Sequence, residues 1–241
     1  PGNGEPMPGY TLGIKELDDY LGSIREGTNL MMIGPPMSRK DELLDAILSH
    51  NLGADDGVII VSTREPGERV LEWFADQGLD ISETNIGIVD CVTKTLGMGS
   101  PDTARIKRAS SPVDLTGIGV KISQFFEDFL VKKKIGKVRL SINSLSTILM
   151  YSNLQTVFRF LHVFTGRVKA ANGFGLYVVE DEMHDAQTIA TLKQLFDGMI
   201  EIKDIGDSYA MRVVGMTSKP TPWFEYDIKG TDIILNKPKN L

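Results

Sequence analysis

The sequence predicts an α/β fold: a three-layer core with a mainly parallel central sheet, followed by a C-terminal antiparallel β extension. Three observations carry this. Short apolar runs alternate with helical patterns and few long gaps, as when crossover helices connect parallel strands. The apolar run Asn29 to Ile33 passes directly into Gly34 and then into Lys40 at a helix start, the strand, loop and helix setting of a phosphate-binding loop. From Met199 onward the pattern becomes that of strands alone.

The elements follow in order. Residues 13–21 form a short amphipathic helix with Ile14, Leu17 and Leu21 on one side. Residues 29–33 are a buried strand, and 41–49 a helix whose apolar face is Leu43, Leu44, Ile47 and Leu48. A second strand spans 58–62, a helix 67–77, and a third strand 86–90. Residues 93–113 mix Gly, Ser, Pro and charge without a period and are expected as a long surface loop. Asp114 or Thr116 caps the helix that carries Phe125, Phe126 and Leu130. A strand at 137–143, a strong amphipathic helix at 154–169, a strand at 176–179 and a helix at 188–196 complete the α/β part. Strands at 199–203, 208–216, 223–229 and 232–235 close the chain.

Length fits one domain over 11–241 behind a flexible Gly- and Pro-rich lead-in at 1–10. Lys and Arg number 26 against 32 Asp and Glu, a net charge of −6 that argues against nucleic acid as a partner. The single Cys91 excludes an internal disulfide and a multi-cysteine metal site, and His50, His162 and His184 lack zinc-ligand spacing, so no metal site is assigned. No apolar run reaches the ~20 residues that span a bilayer, and a cytoplasmic location is expected.

The loop 33–41 reads Ile-Gly-Pro-Pro-Met-Ser-Arg-Lys-Asp. A phosphate-binding loop needs glycine before its lysine, so that backbone N–H groups can wrap phosphate, and Ser or Thr after it to hold Mg²⁺. Gly34, Pro36, Ser38 and Lys40 fit that outline, but Arg39 and Asp41 stand at the two demanding positions. Either Arg39 and Lys40 hold an anion while Asp41 pairs with Arg39, or Asp41 caps its own helix and the loop binds nothing.

Several phrases resemble the RecA-superfamily ATPases of the KaiC type and their RadA-like archaeal relatives. Thr-Leu-Gly-Ile-Lys-Glu-Leu-Asp (11–18) is similar to the phrase T-G-I-x-x-L-D that precedes the loop in that family. Ser62 to Arg69 resembles the strand end that carries two glutamates, and Arg139 to Ser146 resembles the Walker B phrase R-V-V-I-D-S-L-S. Met211 to Thr217 resembles the late strand bearing K-M-R. Segments 110–119 and 160–167 look closer still to an archaeal KaiC-like branch.

This resemblance implies a RecA-like core with ATP and Mg²⁺ as the cofactors to consider, neither required by the residues themselves. It also implies losses. The Walker B aspartate is Asn143, followed by Ser144; the first glutamate is Arg64, leaving Glu65 as the one retained catalytic candidate; the trans-acting cations are Gly215 and Thr217. Loss of a trans finger alone costs about 10³–10⁵ in rate. The expectation is therefore a pseudo-ATPase: an archaeal regulatory or signalling module with weak or no ATP binding. It would act through protein partners, self-association into a ring among them. The alternatives are an active Mg²⁺-dependent ATPase with Asp41 on the metal and Glu65 as base, and a DNA-recombination accessory using Arg105, Lys107 and Arg108.

Three further features have plain readings. The basic stretch Lys132, Lys133, Lys134, Lys137 and Arg139 is a charged helix end before a strand. Glu180-Asp181-Glu182 is a solvated turn after a strand, and Trp223 with Phe224 is an interface anchor or the closure of the sheet edge.

Overall fold

A computed structural model describes residues 9–50 and 52–241. Its helices are α1 (Lys15–Leu21), α2 (Lys40–Ser49), α3 (Gly67–Asp76), α4 (Leu115–Phe126), α5 (Leu145–Tyr151), α6 (Leu154–Ala170) and α7 (Ala186–Lys193). Its strands are β1 (Thr28–Gly34), β2 (Asp56–Ser62), β3 (Asn85–Asp90), β4 (Ile106–Arg108), β5 (Lys137–Ile142), β6 (Phe174–Glu180), β7 (Gly198–Asp204), β8 (Tyr209–Val214), β9 (Trp223–Lys229) and β10 (Asp232–Lys239). One sheet holds them all, in the order β10-β9-β8-β7-β1-β6-β5-β2-β3-β4. Pairing is parallel from β7 through β4, and antiparallel across β7, β8, β9 and β10. This is the α/β arrangement with an antiparallel extension that the alternating pattern predicts.

The central strands are buried on both faces, which is why they read as continuous apolar runs. Leu30 and Met32 of β1 face a layer containing Leu17, Leu43, Leu44, Ile47 and Phe74 from α1, α2 and α3. Met31, one residue out of phase, faces Ile118, Ile122, Leu161 and Phe164 from α4 and α6. Helix α6 buries Val157, Leu161, Phe164 and Val168 at helical spacing, each worth about 1.5–3 kcal/mol. Asn153 starts it, its side chain accepting from Thr156 N at 2.9 Å. Asp114 caps α4 in the same way through Gly117 N.

Four local features differ from the expectations above. Within the supposed loop 93–113, Ile106–Arg108 forms the edge strand β4, too short for periodicity to reveal and anchored by a buried arginine. Helix α5 has no predicted counterpart; it lies directly after β5, with Ser144 as its cap. α4 runs on into a π-helical stretch over Glu127–Lys132. Tyr10, expected in the lead-in, pairs with Ile24, is 1% exposed, and donates its hydroxyl to Asn172 O at 2.8 Å. Residues 1–8 of the lead-in lie outside the described residues.

Candidate functional site

Parallel strands end at a common edge, where open α/β sheets collect functional side chains. At that edge β1 ends on Gly34, in register with Glu180 at the end of β6. A Cβ on Gly34 would lie 2.6 Å from Ile202 Cβ, so the close approach of β7 requires glycine there. The chain then turns through two non-glycine residues in the left-handed region, Met37 and Arg39, both at φ 60°. Such residues cost about 1–2 kcal/mol each, and bonds around the loop hold them. Ser38 Oγ donates to Pro35 O at 2.8 Å, and Tyr226 Oη of β9 donates to Ser38 O at 2.6 Å. Arg39 occupies the cap position of α2 without capping it. Its guanidinium instead reaches Glu42 at 2.7 Å, Asp227 at 3.1 Å and Ile228 O at 3.0 Å.

Lys40 points inward. Its Nζ donates to Glu180 Oε2 at 2.6 Å and to Pro35 O at 2.9 Å. The Lys40 and Glu180 side chains are only 4% and 6% exposed. The other oxygen of Glu180 accepts from Arg64 Nη2 at 2.9 Å, and Arg64 Nη1 reaches Asp41 Oδ2 at 2.7 Å. Behind this chain, Glu180 N donates to Ser146 Oγ at 2.9 Å, and His184 Nε2 lies 2.7 Å from the same hydroxyl. The cleft above, about 450 Å³, is lined by these charges together with Pro36, Met37 and Met183. Three cations (Arg39, Lys40, Arg64) meet four carboxylates (Asp41, Glu42, Glu180, Asp227), so the loop has no net positive charge to offer a polyanion.

The carboxylates are unevenly solvated. Burial pushes the Asp41 carboxyl above its usual range, although Arg64 and Lys40 pull the other way. Its Oδ1 is enclosed without a hydrogen-bond partner. One turn on, Asp45 is pushed up to about 8, first by burial and then by Asp41, Glu65 and Glu42. Burial also lowers His184 below the ordinary histidine range.

The expected pairing of Asp41 with Arg39 is not what forms. Asp41 pairs with Arg64, because the loop after β2 passes over α2, while the left-handed turn at Arg39 throws its side chain toward β9. Asp41 does not cap α2 either, since Arg39 holds that position. Asn143 Oδ1 accepts from Thr63 N at 3.0 Å and Thr63 Oγ1 at 3.1 Å, tying together the ends of β2 and β5. Ser144 is buried, and its Oγ accepts from Thr147 N at 3.0 Å. Glu65 is exposed, its backbone carbonyl accepting from Ser62 Oγ.

Gly215 and Thr217 are not brought to this site. They follow β8 at the opposite end of the sheet, where Gly215 has φ +88° and packs on Asp197 and Gly198. The residue that sequence reasoning missed is Glu180, read as part of a solvated turn yet buried. A strand-end acid was the available signal; the register with Gly34 is what gives it meaning.

The charges proposed for DNA contact are engaged within the fold. Arg108 is 1% exposed and bound to Asp90 and Glu68. Arg105 donates to Thr84 O at 2.7 Å, and Lys107 lies 5.3 Å from the centroid of the Phe125 ring. In the basic stretch, Arg139 is buried against Tyr10 and Asp56, and Lys133 pairs with Asp128. Phe224 is buried, and Trp223 lies under the Arg212 guanidinium at 4.5 Å. Among the described residues no group of three or more His, Cys, Asp or Glu converges to hold a metal ion, and no helix is long and apolar enough to cross a membrane.

Comparison with known proteins adds the fold relationship. An uncharacterized protein of Pyrococcus horikoshii, crystallised in complex with an unknown peptide, superposes with a TM-score of 0.73 at 18% identity, over 96% of this chain and 100% of that one. A KaiC-like protein of Pyrococcus horikoshii OT3 superposes with a TM-score of 0.63 at 11% identity, with the same coverage. These likenesses show a RecA-like α/β fold. No curated protein matches the sequence. Residues 27–202 match the model of a family of unknown function, DUF7504.

Proposed function

The chain belongs to this family of unknown function, DUF7504, and we propose that it is a RecA-superfamily module with degenerate nucleotide motifs that does not hydrolyse ATP. It binds ATP weakly or not at all and works in the cytoplasm through protein partners, as a regulatory or signalling component.

The observation that carries this reading is the engagement of Lys40, the one retained phosphate ligand, by buried Glu180 at 2.6 Å. A triphosphate would have to break that pair. The phosphate would replace the carboxylate at Lys40 and leave Glu180 with Arg64 alone, so binding has to offset the displacement of a buried, already compensated anion.

The remaining donor set does not fit ATP and Mg²⁺. Asp41 adds a negative charge beside the phosphate path and is tied to Arg64, Pro35 and Pro36 lack N–H groups, and Asn143 is neutral and engaged by Thr63. The absence of cations at Gly215 and Thr217 removes the chemical reason for a ring built on trans catalysis, so self-association is one partner option among several. That a protein of the same fold was crystallised with a peptide supports a protein partner.

The enzyme reading draws on the unpartnered Oδ1 of Asp41, the atom that would have to join a metal shell with Glu65 as base. Calorimetric titration of the purified protein with ATP, with and without Mg²⁺ and beside Lys40→Ala, separates the two. No heat in either condition is expected. Lys40-dependent binding with Mg²⁺-dependent turnover would replace the proposal with the ATPase reading.

A further inference from the structure

We propose that Glu180 is a tethered anionic ligand of the loop after β1, occupying it permanently in place of a dissociable anion. This rests on the reading of that loop as a former phosphate site.

Three observations converge on it. First, position: the parallel register sets Glu180 directly beside Gly34, where the loop begins, and Ser146 Oγ fixes its backbone N–H. Second, valence: each carboxylate oxygen takes one cation, Oε2 from Lys40 Nζ and Oε1 from Arg64 Nη2, and the two cations come from different elements. Third, burial: Lys40 is 4% exposed, and its other partner is the neutral carbonyl of Pro35. An ammonium so enclosed needs a counter-ion, and Glu180 is the anion in contact with it.

The functional consequence follows from how such loops act as switches. Where a dissociable phosphate holds a loop, its loss releases the loop and signals a change of state. Here the anion belongs to the chain, and its effective concentration is that of an intramolecular partner. On this proposal the loop is held by its own carboxylate, and nucleotide does not set its state. Regulation by this protein would therefore enter through its partners, not through a nucleotide cycle.

Excising the carboxylate should expose the cation pair to small anions from solution. The test uses the whole chain as wild type, Glu180→Ala, Glu180→Gln and Lys40→Ala/Glu180→Ala. Each is melted in chloride, acetate and phosphate at equal ionic strength and titrated with inorganic phosphate.

Glu180→Ala is expected to melt below wild type in chloride and to recover at least half of that loss in acetate or phosphate, saturably. Wild type and the double variant should show no such anion-specific gain. The isosteric Glu180→Gln should bind phosphate roughly tenfold or more tighter than wild type, because buried Lys40 then has no counter-charge and Arg64 keeps only Asp41. Folded variants that bind phosphate no better than wild type would overturn the inference. So would variants that stay unfolded in both anions, since an anion supplied from solution must then have failed to replace the carboxylate. Lys40-dependent ATP binding by the wild type is a separate failure: it breaks the nucleotide-closed reading, whatever the variants do.

Discussion

Two charge networks of this molecule use the same kinds of residue and reach opposite states of satisfaction. At the sheet edge, Asp90 is fully buried and accepts from Gly67 N, Val92 N, Thr93 N, Thr93 Oγ1 and Arg108 Nη1. Burial pushes its carboxyl up, but these bonds outweigh burial and hold it below the usual range. Arg108 completes the set with Glu68 and Pro101 O. At the loop after β1, Asp41 leaves one enclosed oxygen without a partner, its carboxyl sits above the usual range, and two non-glycine residues adopt left-handed backbone.

The difference teaches that buried charge alone does not mark a functional site. A saturated network pins a strand; the loop after β1 combines paired charges with two left-handed residues.

Three experiments press on this contrast. The largest effect is expected at the saturated network. Arg108→Met leaves Asp90 and Glu68 without their cation and should destabilise by about 3–5 kcal/mol, seen as a Tm drop of roughly 6–20 °C for a domain of this size. A drop no larger than that of a surface arginine would show that the backbone bonds to Asp90 suffice.

A smaller, pH-dependent effect belongs to the loop. Asp45, pushed up to about 8, stabilises the fold while protonated. That contribution is fully present below the unfolded-state carboxylate pKa of ~4 and is lost as pH rises through about 8. Asp45→Asn should therefore match wild type near pH 4 and exceed it above pH 8. The gain should be about 1–2 kcal/mol, well short of the full-shift value because Asp45 keeps some access to water. Equal pH profiles from urea unfolding would contradict this.

The smallest effect tests the strained turn. Arg39→Gly removes a left-handed penalty of about 1 kcal/mol. It also deletes exposed ion pairs to Glu42 and Asp227 that are worth about 0–1 kcal/mol each. The net change in the urea midpoint should be near zero. A loss well beyond that would move Arg39 from a surface tie to a structural anchor.

Much of the fold is legible in the sequence. The pattern sets Lys40 at a helix start after a buried strand and marks β1, β2, β3, β5 and β6 to within a few residues, because apolar runs are a local signal. The late strands were likewise found by period. β4 was not, since three residues that bury an arginine carry no alternation, and α5 was hidden by its short length and its junction with β5.

The candidate site divides in the same way. The residue types at Arg39, Asp41, Arg64 and Asn143 are read from the sequence one by one, as separate departures from the motifs they resemble. In the fold they are not separate: Asp41 and Arg64 neutralise each other, Arg64 shares Glu180 with Lys40, and Asn143 is taken by Thr63.

The sequence by itself determined the α/β class, the position of the loop and the chemistry of each side chain there, because those depend on neighbours along the chain. The tertiary structure alone decided that Glu180 meets Lys40. A contact across 140 positions requires β1 and β6 to be neighbours, and register is a property of two paired strands, so it cannot be assigned until that pairing is known.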